Sequence, residues 1–262
     1  MTQGEHKGRT AVVTGAARGV GAGVARVLSA QGARVVLIAR SEGELEELAS
    51  ELREAGGEAV VLAADLTSEE HLSELEELAP EVDLLVNAAA SFAQYAPLEE
   101  VSSEELRSVY EVGVDGALRL TRHVLGGMKA RGFGRIINIG SVVASLGGGG
   151  QVAYSTAKAA LVGMTRAVAV EGGRSGVTAN LLELGLVETE RVAAQIDPVI
   201  QERLIENTPV GRSGSVEEIA RVVAFLCSTE SGYITGAVLP VSGGLGLGLY
   251  REQFPEGGRP TT

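Results

Sequence analysis

Short runs of β-branched and aliphatic residues alternate along this chain with longer amphipathic stretches. The apolar runs predict strands over Thr10–Thr14, Arg34–Ala39, Ala59–Ala63, Asp83–Asn87, Arg135–Ile139, Val177–Leu182 and Val238–Val241. The stretches between them predict helices over Gly19–Ala30, Glu42–Ala55, Ser68–Leu78, Ser103–Lys129 and Val152–Arg174. The strand runs are apolar throughout rather than alternating, as in strands covered on both faces. Strand–helix alternation of this kind predicts an α/β fold, a doubly wound parallel sheet of about seven strands with helices on both sides. No repeat and no Pro/Ser-rich linker divides the chain, so residues 1–244 are expected to form one domain. The polar, Pro-containing stretch Leu186–Gly214, between a strand and a helix, is expected to be a substrate lid. Residues 245–262 are expected to be an irregular C-terminal tail.

Composition narrows the class. The chain has 262 residues, 45% of them hydrophobic, enough for a substantial core. A net charge of −12 argues against a nucleic-acid partner, which would need a basic footprint. The charge is uneven, however: Glu42–Glu111 holds 20 acids and 2 bases, so the remainder of the chain is mildly basic. A single cysteine, Cys227, fits a reducing compartment. The polar stretch Met1–Arg9 has no apolar signal core, and no apolar run is long enough to span a bilayer. These features predict a soluble, cytoplasmic protein, and no metal-ligand cluster is apparent.

Two constellations carry chemistry. Thr14-Gly15-Ala16-Ala17-Arg18-Gly19-Val20-Gly21 follows the first strand and opens a helix. Glycines there let a dinucleotide's phosphates approach the backbone and the helix N-terminus. The end of the second strand carries Arg40 where an acid would select an unphosphorylated ribose, and Arg18 supplies a second guanidinium. Together they point to NADP(H) rather than NAD(H). The second constellation is Tyr154 and Lys158, four apart on one helix face, with Ser141 at the end of the fifth strand. An ammonium beside the phenol is expected to lower its pKa, and Ser141 to hold a substrate oxygen. Only three lysines stand against nineteen arginines, which suggests that Lys158 is required as a compact ammonium.

With these motifs the chain resembles the short-chain dehydrogenase/reductase family, a Rossmann-like fold, over about Lys7–Gly244. Further matches are Asp65-Leu66, Asn87-Ala88-Ala89-Ala90, Pro209-x-Gly211-Arg212, Tyr233-Ile234-Thr235-Gly236 and Gly243-Gly244. The resemblance implies that Tyr154 protonates a carbonyl oxygen while Lys158 binds the nicotinamide ribose and Ser141 holds the substrate oxygen. It implies that Asp65 and Leu66 contact the adenine and that Asn87 and Ala89 lie beside the adenosine. It places Gly185, Val187 and Thr189 against the cofactor as well. It also implies a homotetramer or homodimer built through the long helices. Three positions depart from the family. Gly113 stands where a catalytic Asn is usual, Leu184 replaces the proline before Gly185, and Ala90 replaces a glycine. Glu183, beside Leu184, is expected either to be solvated or to face the active site.

The leading expectation is an NADPH-dependent ketoreductase, closest in look to the beta-ketoacyl carrier-protein reductases. Lys129, Arg131, Arg135 and Arg174 are candidates for docking an acidic carrier. An alcohol dehydrogenase, a non-redox enzyme of the same fold and a non-catalytic cofactor-binding protein are the alternatives.

Overall fold

A computed structural model describes residues 4–248. Seven strands form one parallel sheet: β1 (Thr10–Thr14), β2 (Arg34–Ala39), β3 (Glu58–Ala63), β4 (Leu84–Asn87), β5 (Gly134–Ser141), β6 (Val177–Leu184) and β7 (Val238–Val241). Their order is β3-β2-β1-β4-β5-β6-β7, so the winding reverses between β1 and β4. The crevice at the carboxyl ends of the strands beside that reversal is where such sheets take ligands.

Successive strand side chains point to opposite faces, and each face has its own core. Ala11, Val13, Val35 and Leu37 pack with α1 (Gly19–Ala30), α2 (Glu42–Glu54) and α10 (Val216–Cys227). Val12, Val36 and Ile38 pack on the other side with α3 (Glu70–Leu78), α5 (Gly116–Arg131) and α7 (Val152–Gly172). Cys227, the chain's only thiol, is sealed in the first core, and burial pushes its pKa up to about 12. No helix among the described residues is long and apolar enough to cross a membrane.

Three elements differ from the sequence expectation. The helix expected over Ser103–Lys129 is α4 (Ser103–Tyr110) joined to α5 by a π-helical turn, Glu111–Asp115. Gly113 sits in that widened turn, buried, and a Cβ added there would meet nothing within 4 Å. A π-turn inside an α-helix is uncommon and often marks a functional site. Its neighbour Val112 lines the cleft described below.

The stretch expected as a substrate lid contains two short helices that the sequence did not predict, α8 (Glu190–Gln195) and α9 (Pro198–Glu206). Thr189 caps the first by accepting from Val192 N, and Asp197 caps the second ahead of a proline at its start. A bridge between Val187 and Gly214 closes the base of the excursion. Another short helix, α6 (Val143–Leu146), follows β5 directly. The expected tail begins with a described turn, Gly244–Leu247, closed by Leu247 N on the Gly244 carbonyl. Residues 249–262 lie outside the described residues.

Because the space at Gly113 is open, Gly113→Asn is expected to fold with an unchanged circular dichroism spectrum. Gly113→Ala is expected to gain about 1 kcal/mol, raising Tm by about 2–4 °C. A drop in Tm for Gly113→Ala would show that the glycine itself holds the π-turn.

Candidate active site

The glycine loop is shaped by the strand next to it. Thr14 Oγ1 accepts from the backbone N–H of Ala88 at 3.0 Å and of Ala89 at 3.1 Å, holding the exit of β4 against β1. Gly15 has φ +64°, and a Cβ there would lie 2.9 Å from the Ala89 Cα. A side chain at position 21 would strike the Gly15 carbonyl. The loop therefore needs both glycines, and it ends at the start of α1, the kind of helix N-terminus that takes an anion.

Gly15, Arg18, Gly19, Val20 and Gly21 line one end of a continuous cleft of about 2160 Å³. Arg40, Asp65 and Leu66 line that end too. The Asp65 carboxyl is held below its usual range, first by the Thr67 backbone N–H and more weakly by the Arg40 charge. Ala89, Gly185, Val187 and Thr189 lie along the cleft, and Ser141, Tyr154 and Lys158 line it as well. Asn87 does not line it. Its side chain turns inward, donating to Asn138 Oδ1 at 2.9 Å, and Asn138 donates in turn to Thr165 Oγ1 at 2.8 Å. Asn87 is thus seen joining β4 to β5, under the cleft floor.

Ser141 ends β5, and Tyr154 and Lys158 project from the first turns of α7. Lys158, only 3% exposed, donates from Nζ to the Ile139 carbonyl at 2.7 Å. Burial pushes its pKa down to about 8, helped by the Arg191 charge. The expectation that Lys158 lowers the Tyr154 pKa is not met. Burial dominates and pushes the phenol up to about 12. The groups that oppose the rise are Arg191 and a hydrogen bond with Ser141. The Lys158 nitrogen is engaged with Ile139 and stands 5.5 Å from the centre of the Tyr154 ring.

Glu183 takes neither expected position. It is buried, outside the cleft lining, and accepts from Ser145 Oγ at 2.7 Å. On β6 it points away from Leu182 and Leu184, which belong to the α1/α10 core. Its bond ties β6 to α6, the short helix that follows Ser141. Gly185 backs onto β7's exit so closely that a Cβ would lie 2.8 Å from the Ser242 Cα.

Of the four candidate docking cations, the structure corrects Arg135. Lys129 and Arg131 end α5, Arg135 opens β5, and Arg174 follows α7. These positions lie at the amino ends of the strands, opposite the end that holds Ser141 and Tyr154, and none lines the cleft. Arg135 is buried, bonding the carbonyls of Ser228, Gly134 and Gly176.

Two cleft residues were missed. Phe92 stacks on Tyr154 with ring centroids 4.3 Å apart and planes 23° apart. Arg191, on α8, lies over Phe92 with its guanidinium carbon 3.1 Å from the ring centroid. The only sequence signal for Phe92 is a rare aromatic (one of four Phe) five residues after Asn87.

Residues 15–246 match a family model described as enoyl-(acyl carrier protein) reductase. The chain is 38% identical over 242 residues to a 3-oxoacyl-(acyl-carrier-protein) reductase of Pseudomonas aeruginosa, covering 91% of this chain and 98% of that protein. It is 38% identical over 240 residues to an acetoacetyl-CoA reductase of Rhizobium meliloti, covering 90% and 98%. A crystal structure of a 3-oxoacyl-(acyl-carrier protein) reductase from Brucella melitensis superposes with a TM-score of 0.90 at 28% identity, covering 94% of each chain. The chain belongs to the short-chain dehydrogenase/reductase family. It is an NAD(P)-dependent oxidoreductase acting on a carbonyl or alcohol group.

The depressed Lys158 pKa has a defined stability signature. The unfolded chain keeps this proton up to about its ordinary 10.5, whereas the folded cofactor-free protein releases it near 8. Between those values the unfolded state binds more protons, so this group makes folding more favourable as pH rises. The Tm of the wild type relative to Lys158→Met is therefore expected to climb between pH 8 and pH 10.5. A difference that stays flat in calorimetry would show the ammonium to be solvated.

Proposed function

We propose that the protein is an NADPH-dependent ketoreductase that reduces a beta-ketoacyl thioester carbonyl to a secondary alcohol. The observation that carries the reading is the meeting of Ser141, Tyr154 and Lys158 in the same cleft as the glycine loop and two arginines. The bound nicotinamide supplies the hydride. Ser141 holds the carbonyl oxygen beside the Tyr154 hydroxyl, and Tyr154 gives that oxygen its proton. A phenol whose pKa is raised keeps its proton across the neutral range and so has one to give to the carbonyl oxygen. Lys158, fixed to the Ile139 carbonyl, would bind the nicotinamide ribose, as the family resemblance implies.

Gly15 and Gly21 provide the bare backbone that a diphosphate needs, and Arg18 and Arg40 provide cations for a 2′-phosphate. The thioester class follows from the relatives, which are named as acting on acyl-carrier-protein and CoA substrates. The outer faces of the long helices expose Leu118 on α5 and Val170 on α7, 44% and 83% accessible, which supports a homodimer or homotetramer built through those helices.

NADPH oxidation with acetoacetyl-CoA as substrate tests the reading. Tyr154→Phe is expected to lower kcat by about 10²–10⁴-fold with NADPH binding retained. Unchanged turnover in that variant would remove Tyr154 as proton donor, and binding of NADPH without turnover on any ketone would favour a non-redox or binding role. For the cofactor, Arg18→Ala with Arg40→Ala is expected to weaken NADPH far more than NADH. Equal losses for the two nucleotides would sink the preference.

A further inference from the structure

Arg191 is a cation that the proposed reaction does not use. It projects from α8, inside the excursion that borders the cleft, and it lines the cleft itself. Its guanidinium lies over one face of Phe92 while Tyr154 stacks on that ring. Two groups so near one ring centre must occupy opposite faces, so the order is Arg191, Phe92, Tyr154. The guanidinium is thus held one ring's thickness beyond the catalytic phenol.

The partners of Arg191 leave it without a counter-ion. Nε donates to the neutral Gln195 Oε1 at 2.8 Å. The groups whose charge acts on it are Tyr154 and Arg18, with no carboxylate among them. Partial burial lowers its pKa, the mark of a cation removed from water without a counter-ion. Such a group in an open cleft is a binding position for an oxyanion, which a planar guanidinium takes in charge-assisted, two-pronged hydrogen bonds.

Two oxyanions could reach it, a carboxylate on the substrate or the diphosphate of the dinucleotide. The aromatic contact ties the guanidinium to the Tyr154 side of the cleft, which favours the substrate. We propose that Arg191 is a specificity-determining residue that anchors the carboxylate of a keto acid whose carbonyl rests on Ser141 and Tyr154. The intervening ring sets the two groups several bonds apart, so the class is a γ- or δ-keto carboxylate. A thioester has no charge at that position, so this is an additional substrate class. The inference rests on Tyr154 as the proton donor only for its kinetic arm.

That arm compares 4-oxopentanoate with its neutral counterpart 4-oxopentanamide, using NADPH and wild-type, Arg191→Gln and Arg191→Lys proteins. The ratio of kcat/KM for acid over amide is expected to fall about tenfold or more in Arg191→Gln, through KM. Arg191→Lys is expected to recover part of the ratio. Equal losses on acid and amide would overturn the proposal. So would a rise confined to the KM for NADPH with the acid/amide ratio intact, which would assign the guanidinium to the diphosphate. A second arm needs no turnover. Calorimetric binding of 4-oxopentanoate to the NADP⁺-loaded Tyr154→Phe protein is expected to weaken about tenfold on adding Arg191→Gln, and unchanged binding would overturn the proposal. A failure of Tyr154 as proton donor leaves this second arm standing.

Discussion

The bond from the Lys158 ammonium to the Ile139 carbonyl governs the end of the cleft that holds Ser141 and Tyr154. It joins α7 to β5, and those two elements carry Tyr154 and Ser141. Desolvating an ammonium is costly, and one carbonyl returns only part of that cost. The depressed pKa of Lys158 expresses the remainder. A polar chain runs beneath it between the same layers: Asn87 to Asn138, and Asn138 to Thr165 on α7. Apolar packing alone would let a helix slide along a sheet, whereas hydrogen bonds at fixed heights set one register. On the other side of Ser141, Glu183 and Ser145 do the same for α6. Ser141 therefore sits between two polar clamps.

Much of this was legible in the sequence. Uninterrupted apolar runs specify strands covered on both faces, and their alternation with helices specifies the sheet. Gly15 and Gly21 were readable because a strand–helix junction leaves no room for side chains there. Ser141, Tyr154 and Lys158 were readable from spacing on a strand end and a helix face. The short lid helices escaped because their periodicity spans less than three turns, although Thr189 and Asp197-Pro198 are sound starting signals. The π-turn escaped because its local composition matches an ordinary helix weakened by one glycine.

Other residues were unreadable for a different reason. Phe92 and Arg191 meet across about a hundred positions of chain, and only the folded lid brings them together. Glu183 was ambiguous because strand parity, not residue type, decides which layer a side chain enters. The pKa of Tyr154 turned on the balance of burial against charge, which spacing does not reveal. Arg135 is instructive in the opposite sense. Its place at the start of β5 puts it at the amino end of the sheet, so the sequence already contained the correction.

Cys227 has a practical corollary. The chain's one thiol lies in the core under α10, and its raised pKa leaves almost no thiolate at neutral pH. Thiol-directed reagents therefore have no native target until the core opens. A cysteine introduced at an exposed lid position such as Ala194 would be the sole reactive site, so a fluorophore could be attached there without first removing the natural thiol. The segment 186–214 can then be followed optically in an otherwise unaltered protein.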